Sequence, residues 1–175
     1  MGPGKTFPGF FFHMKKYFYI NLIILVLFVS FVYADKQDST YDAILSSAES
    51  LFKTMKDKDY TKIWAYLTLK SKGIIVGDVY KAEVKSGIEH SKEDIGRDFN
   101  TGGLLSRSYW NNYLEVFNPD TVLEQSKWEM GQVKKDRAEV IIRYKKSERP
   151  TILQMFREDD VWKVGLEETF GILKK

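Results

Sequence analysis

The chain has 175 residues, of which 15% are aromatic and none is cysteine. The absence of cysteine excludes a disulfide framework, a thiolate nucleophile, a cysteine metal site and the acylated cysteine of a lipoprotein. The net charge of +3 comes from Lys5, Lys15 and Lys16, which precede Ala34 in a segment without acidic residues; 27 cations less these three leaves 24, against 24 anions. This neutral remainder predicts no nucleic-acid partner and no electrostatic attraction to an anionic membrane.

The first predicted element is an export signal whose apolar part spans Tyr17–Ala34. Two lysines precede the apolar run Leu22–Val32, and small residues follow it where a signal peptidase would cut. Cleavage there would start the mature chain at Asp35. Met14 opens a conventional signal, so it is the expected initiator in place of Met1. The alternative is an uncut anchor, because about eighteen residues approach the roughly twenty that span a bilayer.

The chain is therefore divided into two predicted parts. Residues 1–34 form an N-terminal extension and signal peptide, or an uncut anchor, and residues 35–175 form a single domain. About 140 residues is the usual size of a domain with one hydrophobic core. The aromatic residues supply large buried surfaces for that core.

Three helices are predicted in the first part of this domain. Apolar residues recur at helical spacing over Thr40–Lys56, Tyr60–Leu69 and Leu104–Phe117. Between the second and third, Ile74, Ile75, Val79 and Tyr80 could start a helix, but six glycines interrupt the pattern over Lys70–Gly103. This stretch is therefore predicted to be the most mobile. Asn118–Asp120 contains a proline and is predicted as the turn that closes the third helix.

The final third of the chain changes to the alternating period of β-strands. Four strands are predicted, at Thr121–Val133, Arg137–Lys146, Thr151–Arg157 and Val161–Glu168. In the second strand, apolar residues alternate with mainly charged ones, so one face of the sheet is apolar and the other is wet. Helices followed by a meander predict an α+β fold in which the helices cover the apolar face.

Two segments give the chain its resemblance to a known superfamily. They are Leu51–Tyr60, which precedes Ile63 and Trp64, and the closing segment Arg157–Leu166 with its Trp-Lys-Val strand after an acidic turn. The chain resembles the nuclear-transport-factor-2-like superfamily, which has the cystatin-like fold. The resemblance covers nearly all of the mature domain and implies N-terminal helices that cup a strongly curved antiparallel sheet. Members include isomerases, dehydratases and non-catalytic exported domains, so the fold alone does not choose a function.

Two residues are the candidates for a catalytic role. His90 is the only histidine after the signal, and Glu93 or Asp94 would be its acid–base partner, although its Gly-flanked polar surroundings are typical of a surface loop. Glu124 is predicted to share a strand face with Trp128, as a carboxyl group in an isomerase site of this superfamily would require. Neither a His-Glu-x-x-His motif nor an EF-hand loop occurs, so no metal or cofactor is predicted.

A set of aromatic residues forms the candidate ligand site. They are drawn from helices and strands that are predicted to face one another across the helix–sheet cup, the concave space between the helices and the sheet. Such residues also serve as core, but an open cup would admit an apolar ligand or a partner's side chain there. The set consists of Trp64, Trp110, Tyr113, Trp128, Tyr144 and Phe156. Trp162 is assigned to the core, because Val164 and Leu166 continue its face.

The sequence predicts an exported, non-catalytic α+β binding domain, in the periplasm or outside the cell. It would take a small apolar ligand or an envelope protein in or beside the helix–sheet cup. One alternative is an isomerase or dehydratase acting through Glu124 or His90. Another is a membrane-anchored assembly subunit of an envelope complex, which requires Tyr17–Ala34 to stay uncut. Homodimerisation is left open.

Overall fold

The computed structural model describes residues 39–171, and the predicted export signal lies outside them. The described chain contains helix α1 over residues 39–56, followed by six further helices and four strands. Among residues 39–171, no helix is long and apolar enough to cross a membrane. The remaining elements are α2 (Tyr60–Tyr66), α3 (Leu69–Lys85), α4 (Lys92–Thr101), α5 (Leu104–Val116), α6 (Pro119–Glu124), β1 (Ser126–Val133), β2 (Arg137–Tyr144), β3 (Thr151–Glu158), β4 (Val161–Gly165) and α7 (Leu166–Phe170).

The four strands form one open antiparallel sheet in the order β1-β2-β3-β4, so the predicted α+β class and meander are confirmed. Val140 is paired with Met130 on one side and with Leu153 on the other. Ala138, Val140 and Ile142 are buried, and the residues between them are half-buried or exposed. The predicted division of β2 into an apolar inner face and a wetter outer face is therefore confirmed.

The inner face of the sheet is covered by α1. Five fully buried residues share one side of this helix: Ile44, Ala48, Leu51, Phe52 and Met55. Their spacing is that of an amphipathic helix, and it confirms the predicted buried face. Phe52 contacts the Trp128 ring on β1, and the Ser47 hydroxyl donates a 2.6 Å hydrogen bond to the Trp162 carbonyl on β4. The helix therefore crosses the sheet from one edge strand to the other.

The glycine-interrupted stretch Lys70–Gly103 folds into two regular helices, α3 and α4. Two glycines lie within α3, a helix of 17 residues. Thr68 caps it by accepting a hydrogen bond from the Ser71 N–H, and Ile75 is buried in the core. A side-chain cap and tertiary packing thus outweigh the low helix propensity of glycine. Because Thr68 caps α3, α2 ends at Tyr66 instead of continuing to Leu69.

Two other boundaries also differ from the prediction. Asn118 does not close α5 as part of a turn, because its side chain accepts from the Asp120 N–H and caps α6, whose first residue is Pro119. The strand predicted from Thr121 therefore begins only at Ser126. The last strand likewise ends at Gly165, where the carbonyl accepts from the Thr169 hydroxyl at 2.7 Å inside α7.

The connection between α2 and α3 pairs with the edge of β4 that no other strand of the sheet uses. Leu67, which is fully buried, forms a parallel β-bridge with Val164. The N–H of Thr68 donates to the Val164 carbonyl at 3.1 Å. A short extended segment between two helices is thereby joined to the edge of the sheet.

Candidate functional site

Four of the six aromatic candidates belong to one continuous row of ring contacts in the interior. Neighbouring ring centroids lie between 4.7 Å, for Trp64 and Phe99, and 5.9 Å, for Phe52 and Phe117. Most of these contacts are tilted or edge-on, the arrangements that aromatic quadrupoles favour. The row runs Trp64, Phe99, Tyr109, Trp110, Tyr113, Phe117, Phe52 and Trp128.

The members of this row serve as core. Trp110 is fully buried, and the Trp128 indole N–H donates to the Val122 carbonyl at 2.9 Å. Burial also raises the pKa of both Tyr109 and Tyr113 above the usual range, so these hydroxyls stay protonated near neutral pH. Trp162 is buried as predicted.

The other two aromatic candidates lie apart from the row. Tyr144 is half-buried at the end of β2, opposite Ser126. Phe156 is paired with Arg137 and with Lys163 and lies on the outer face, because strand alternation separates it from the buried Met155. The expectation that all six aromatic residues face one another across the cup is therefore wrong for Phe156.

A cavity of about 570 Å³ lies beside Phe156 on the outer face of the sheet, and we call it the outer-face cavity. Strand β3, the first residue of β2, the start of α3 and the end of α7 supply its walls. Its lining combines an aromatic ring, an aliphatic side chain, two cations and one carboxylate. The lining residues are Lys70, Arg137, Ile152, Gln154, Phe156, Glu168 and Thr169.

The cavity cations Lys70 and Arg137 were not among the predicted site residues, and Arg137 is the one in contact with Phe156. Its guanidinium carbon lies 5.9 Å from the centroid of the Phe156 ring. The two residues are directly paired between β2 and β3. This neighbourhood could have been inferred from the sequence. If β2 and β3 form a hairpin with its turn at Ser147–Pro150 and the correct register, these two side chains lie opposite each other.

His90 occupies a second region, at the junction of α3 and α4. Its Nδ1 lies 2.9 Å from Oε1 of Glu83 in α3. The predicted partner Asp94 instead forms a capping box with Ser91 and an ion pair with Arg97. The prediction of Glu93 or Asp94 as the partner of His90 is therefore wrong. Glu83 was missed because its segment was not assigned to a helix.

The pair of His90 and Glu83 is asymmetric in burial. The imidazole is half exposed, whereas Glu83 is buried and its Oε2 has no hydrogen-bond partner among residues 39–171. The hydrogen bond to Glu83 raises the pKa of His90 above its usual 6.5. A cavity of about 390 Å³ adjoins the imidazole, and its apolar wall includes Tyr80, Val84 and Ile88.

Glu124 lies at the surface, away from any strand face. It is the last residue of α6, and its Oε1 is 2.8 Å from Nζ of Lys56 in α1. Lys56 also pairs with Asp120 at 2.6 Å. Hydrogen bonds to Asp120 and then Glu124 raise the pKa of Lys56. The expected shared face of Glu124 and Trp128 is therefore wrong, because Glu124 is helical.

Comparison with protein families, with curated proteins and with solved structures gives no match for this chain. Among residues 39–171, no group of three or more His, Asp or Glu side chains is arranged to hold a metal ion. The resemblance to the nuclear-transport-factor-2-like superfamily stays a prediction.

Proposed function

We propose that the chain is an exported, non-catalytic binding domain of the nuclear-transport-factor-2-like type, which takes its ligand beside the helix–sheet cup in the outer-face cavity. The observation that carries this proposal is the position of Phe156 in a cavity of about 570 Å³ together with Ile152 and Arg137. Ligand sites are commonly concave, between about 300 and 1,000 Å³, and combine apolar surface with a few polar groups.

The packing of the interior supports a site outside the cup. Each ring of the row from Trp64 to Trp128 contacts the next one. A ligand that entered the cup would have to separate these rings. Each such ring pair contributes about 0.5–1.5 kcal/mol beyond the area that it buries. The outer-face cavity receives a ligand without that loss.

A titration with 2-naphthamide, a neutral aromatic compound, tests the binding function. Binding to the full-length chain is measured by isothermal titration calorimetry. We expect Phe156→Leu, which keeps an apolar side chain but removes the ring, to weaken binding about three- to tenfold, the equivalent of one aromatic contact. Tyr144→Leu is the matched control and should leave the affinity unchanged. A loss confined to Tyr144→Leu would place the ligand in the cup. The absence of binding by this compound and by a charged compound of the same shape would overturn the proposal.

The export part of the proposal depends on Tyr17–Ala34. N-terminal sequencing of the protein recovered outside the cytoplasm should begin at Asp35 with Asp-Lys-Gln-Asp. Recovery of a chain that still carries Tyr17–Ala34 would favour the membrane-anchored alternative.

A second candidate function, proton transfer in an isomerase-type reaction, is favoured by the contact of His90 with Glu83. A carboxylate at Nδ1 orients the imidazole and leaves Nε2 to exchange protons. The check is deuterium exchange next to the carbonyl of cyclohex-3-enone in D₂O, followed by NMR. Exchange that is faster with the wild-type chain than with His90→Gln is the expected result, and equal rates would remove this candidate.

A further inference from the structure

Two cations line the outer-face cavity without a carboxylate partner among residues 39–171. Arg137 is exposed at the start of β2, and Lys70 is exposed in the first turn of α3. The guanidinium of Arg137 lies over the Phe156 ring. A cation–π contact gives the guanidinium N–H groups no acceptor atom, so they stay available to an acceptor on a ligand.

Two carboxylates in this region, Glu168 in the cavity lining and Glu158 two residues after Phe156 in β3, are held by groups at the start of α3. In Glu168, Oε1 accepts from the Thr68 hydroxyl and Oε2 from the Ser71 hydroxyl. Both oxygens of Glu158 accept from the Leu69 N–H, at 3.2 and 3.0 Å. The N-terminus of a helix stabilises carboxylates, and both groups are held at the start of α3. Neither carboxylate pairs with Arg137 or Lys70, so the lining has two cations against the one carboxylate of Glu168, and both cations can bind a ligand.

We propose that the outer-face cavity binds a small organic anion, a molecule with an aromatic body and a carboxylate group. Phe156 and Ile152 contact the body, and Arg137 and Lys70 bind the carboxylate. Hydrogen bonds between ions are roughly twice as strong as those between neutral groups, and a guanidinium binds a carboxylate through two parallel N–H groups. This inference rests on the binding function proposed above and adds the class of ligand.

A comparison of 2-naphthoate with its neutral isostere 2-naphthamide tests this inference, again by calorimetry on the full-length chain. We expect 2-naphthoate to bind at least tenfold more tightly. Arg137→Gln and Lys70→Gln should each weaken 2-naphthoate binding about five- to tenfold and change the affinity for 2-naphthamide less than about twofold. Lys127→Gln is the matched control, because Lys127 is an exposed cation on the outer face of β1 and does not line the cavity.

The outcomes separate this inference from the function on which it rests. Equal affinity for the two compounds, with the loss in Phe156→Leu retained, would overturn the anionic ligand and leave the binding function standing. If neither compound binds, the binding function itself fails. An acidic hexapeptide that binds more tightly than 2-naphthoate and depends on Arg137 would replace the small molecule by a protein partner.

Discussion

Nδ1 of His90 lies 2.9 Å from Oε1 of Glu83, so a half-exposed imidazole is joined to a buried carboxylate. Glu83 belongs to the last turns of α3, and His90 immediately precedes Ser91, the N-cap of α4. The contact therefore fastens the connection between these two helices. It also makes the stability of this junction depend on protonation.

The pH dependence has a definite sign. Glu83 raises the pKa of His90 above 6.5, with smaller contributions from Asp94 and Asp98. The stabilisation is complete below the unfolded pKa and is lost as the pH rises through the folded one. We expect the thermal midpoint of the wild type to exceed that of His90→Gln more at about pH 5.5 than at about pH 9. Glu83→Gln should show the same loss, and an equal gap at both pH values would contradict the ion pair.

The aromatic interior predicts a large effect at Phe52. This ring is fully buried and contacts both Phe117 and Trp128. Phe52→Ala should lower the free energy of unfolding by about 3–5 kcal/mol through lost burial and a cavity. Chemical denaturation measures this change in the free energy of unfolding. The control is Val116→Ala, at an 87% exposed position, which should change stability by less than about 0.5 kcal/mol.

Two glycines in helical segments should respond in opposite directions to alanine. Gly102 caps α4 with φ of +66°, and a Cβ there would lie 2.8 Å from Oγ1 of Thr61. Gly102→Ala should therefore destabilise the chain by about 1–2 kcal/mol. Gly73 lies inside α3 with open space around its Cβ position, and Gly73→Ala should stabilise it by about 0.5–1 kcal/mol. Chemical denaturation compares the two, and the same sign for both would contradict these backbone assignments.

Ser71 connects the start of α3 with α7. Its hydroxyl donates to Glu168 and accepts from the Glu167 N–H at 3.0 Å. Ser71→Ala removes both bonds inside a buried region and should lower the free energy of unfolding by about 1–3 kcal/mol. Ser86→Ala provides the comparison, since that exposed hydroxyl donates to the Ala82 carbonyl within its own helix. Equal values for the two variants would argue against a buried network.

The parts of the fold that could be predicted are those in which apolar residues recur with a clear helical or strand period. The buried side of α1 and the alternation in β2 follow from burial against a single neighbouring layer. The glycines of α3 and the proline of α6 misled the prediction because local signals mark breaks, whereas Thr68 and Asn118 caps decide where these helices begin. These caps are local signals that the sequence does contain, whereas packing, such as the burial of Ile75 in the core, is a tertiary contact that one sequence indicates only weakly.

The sequence indicated that aromatic residues would line the candidate site, but it did not indicate on which face of the sheet the site lies. Phe156 was expected to face the cup. The strand begins at Thr151 as predicted, but apolar residues stand on both of its faces, and Leu153 and Met155 take the inner one. Its neighbour Arg137 follows from the register of the hairpin. Lys70 comes from a different element, so its approach to the sheet depends on how α3 packs, which the sequence pattern does not contain.

The bridge between Leu67 and Val164 protects the edge of the sheet against pairing with other molecules. An edge strand with free N–H and C=O groups is a template on which foreign strands can grow. At Val164 the chain supplies its own extended residue and uses the carbonyl for the Thr68 N–H. Strand addition along β4, the first step of fibril growth from this side of the sheet, would have to displace a segment held between two helices.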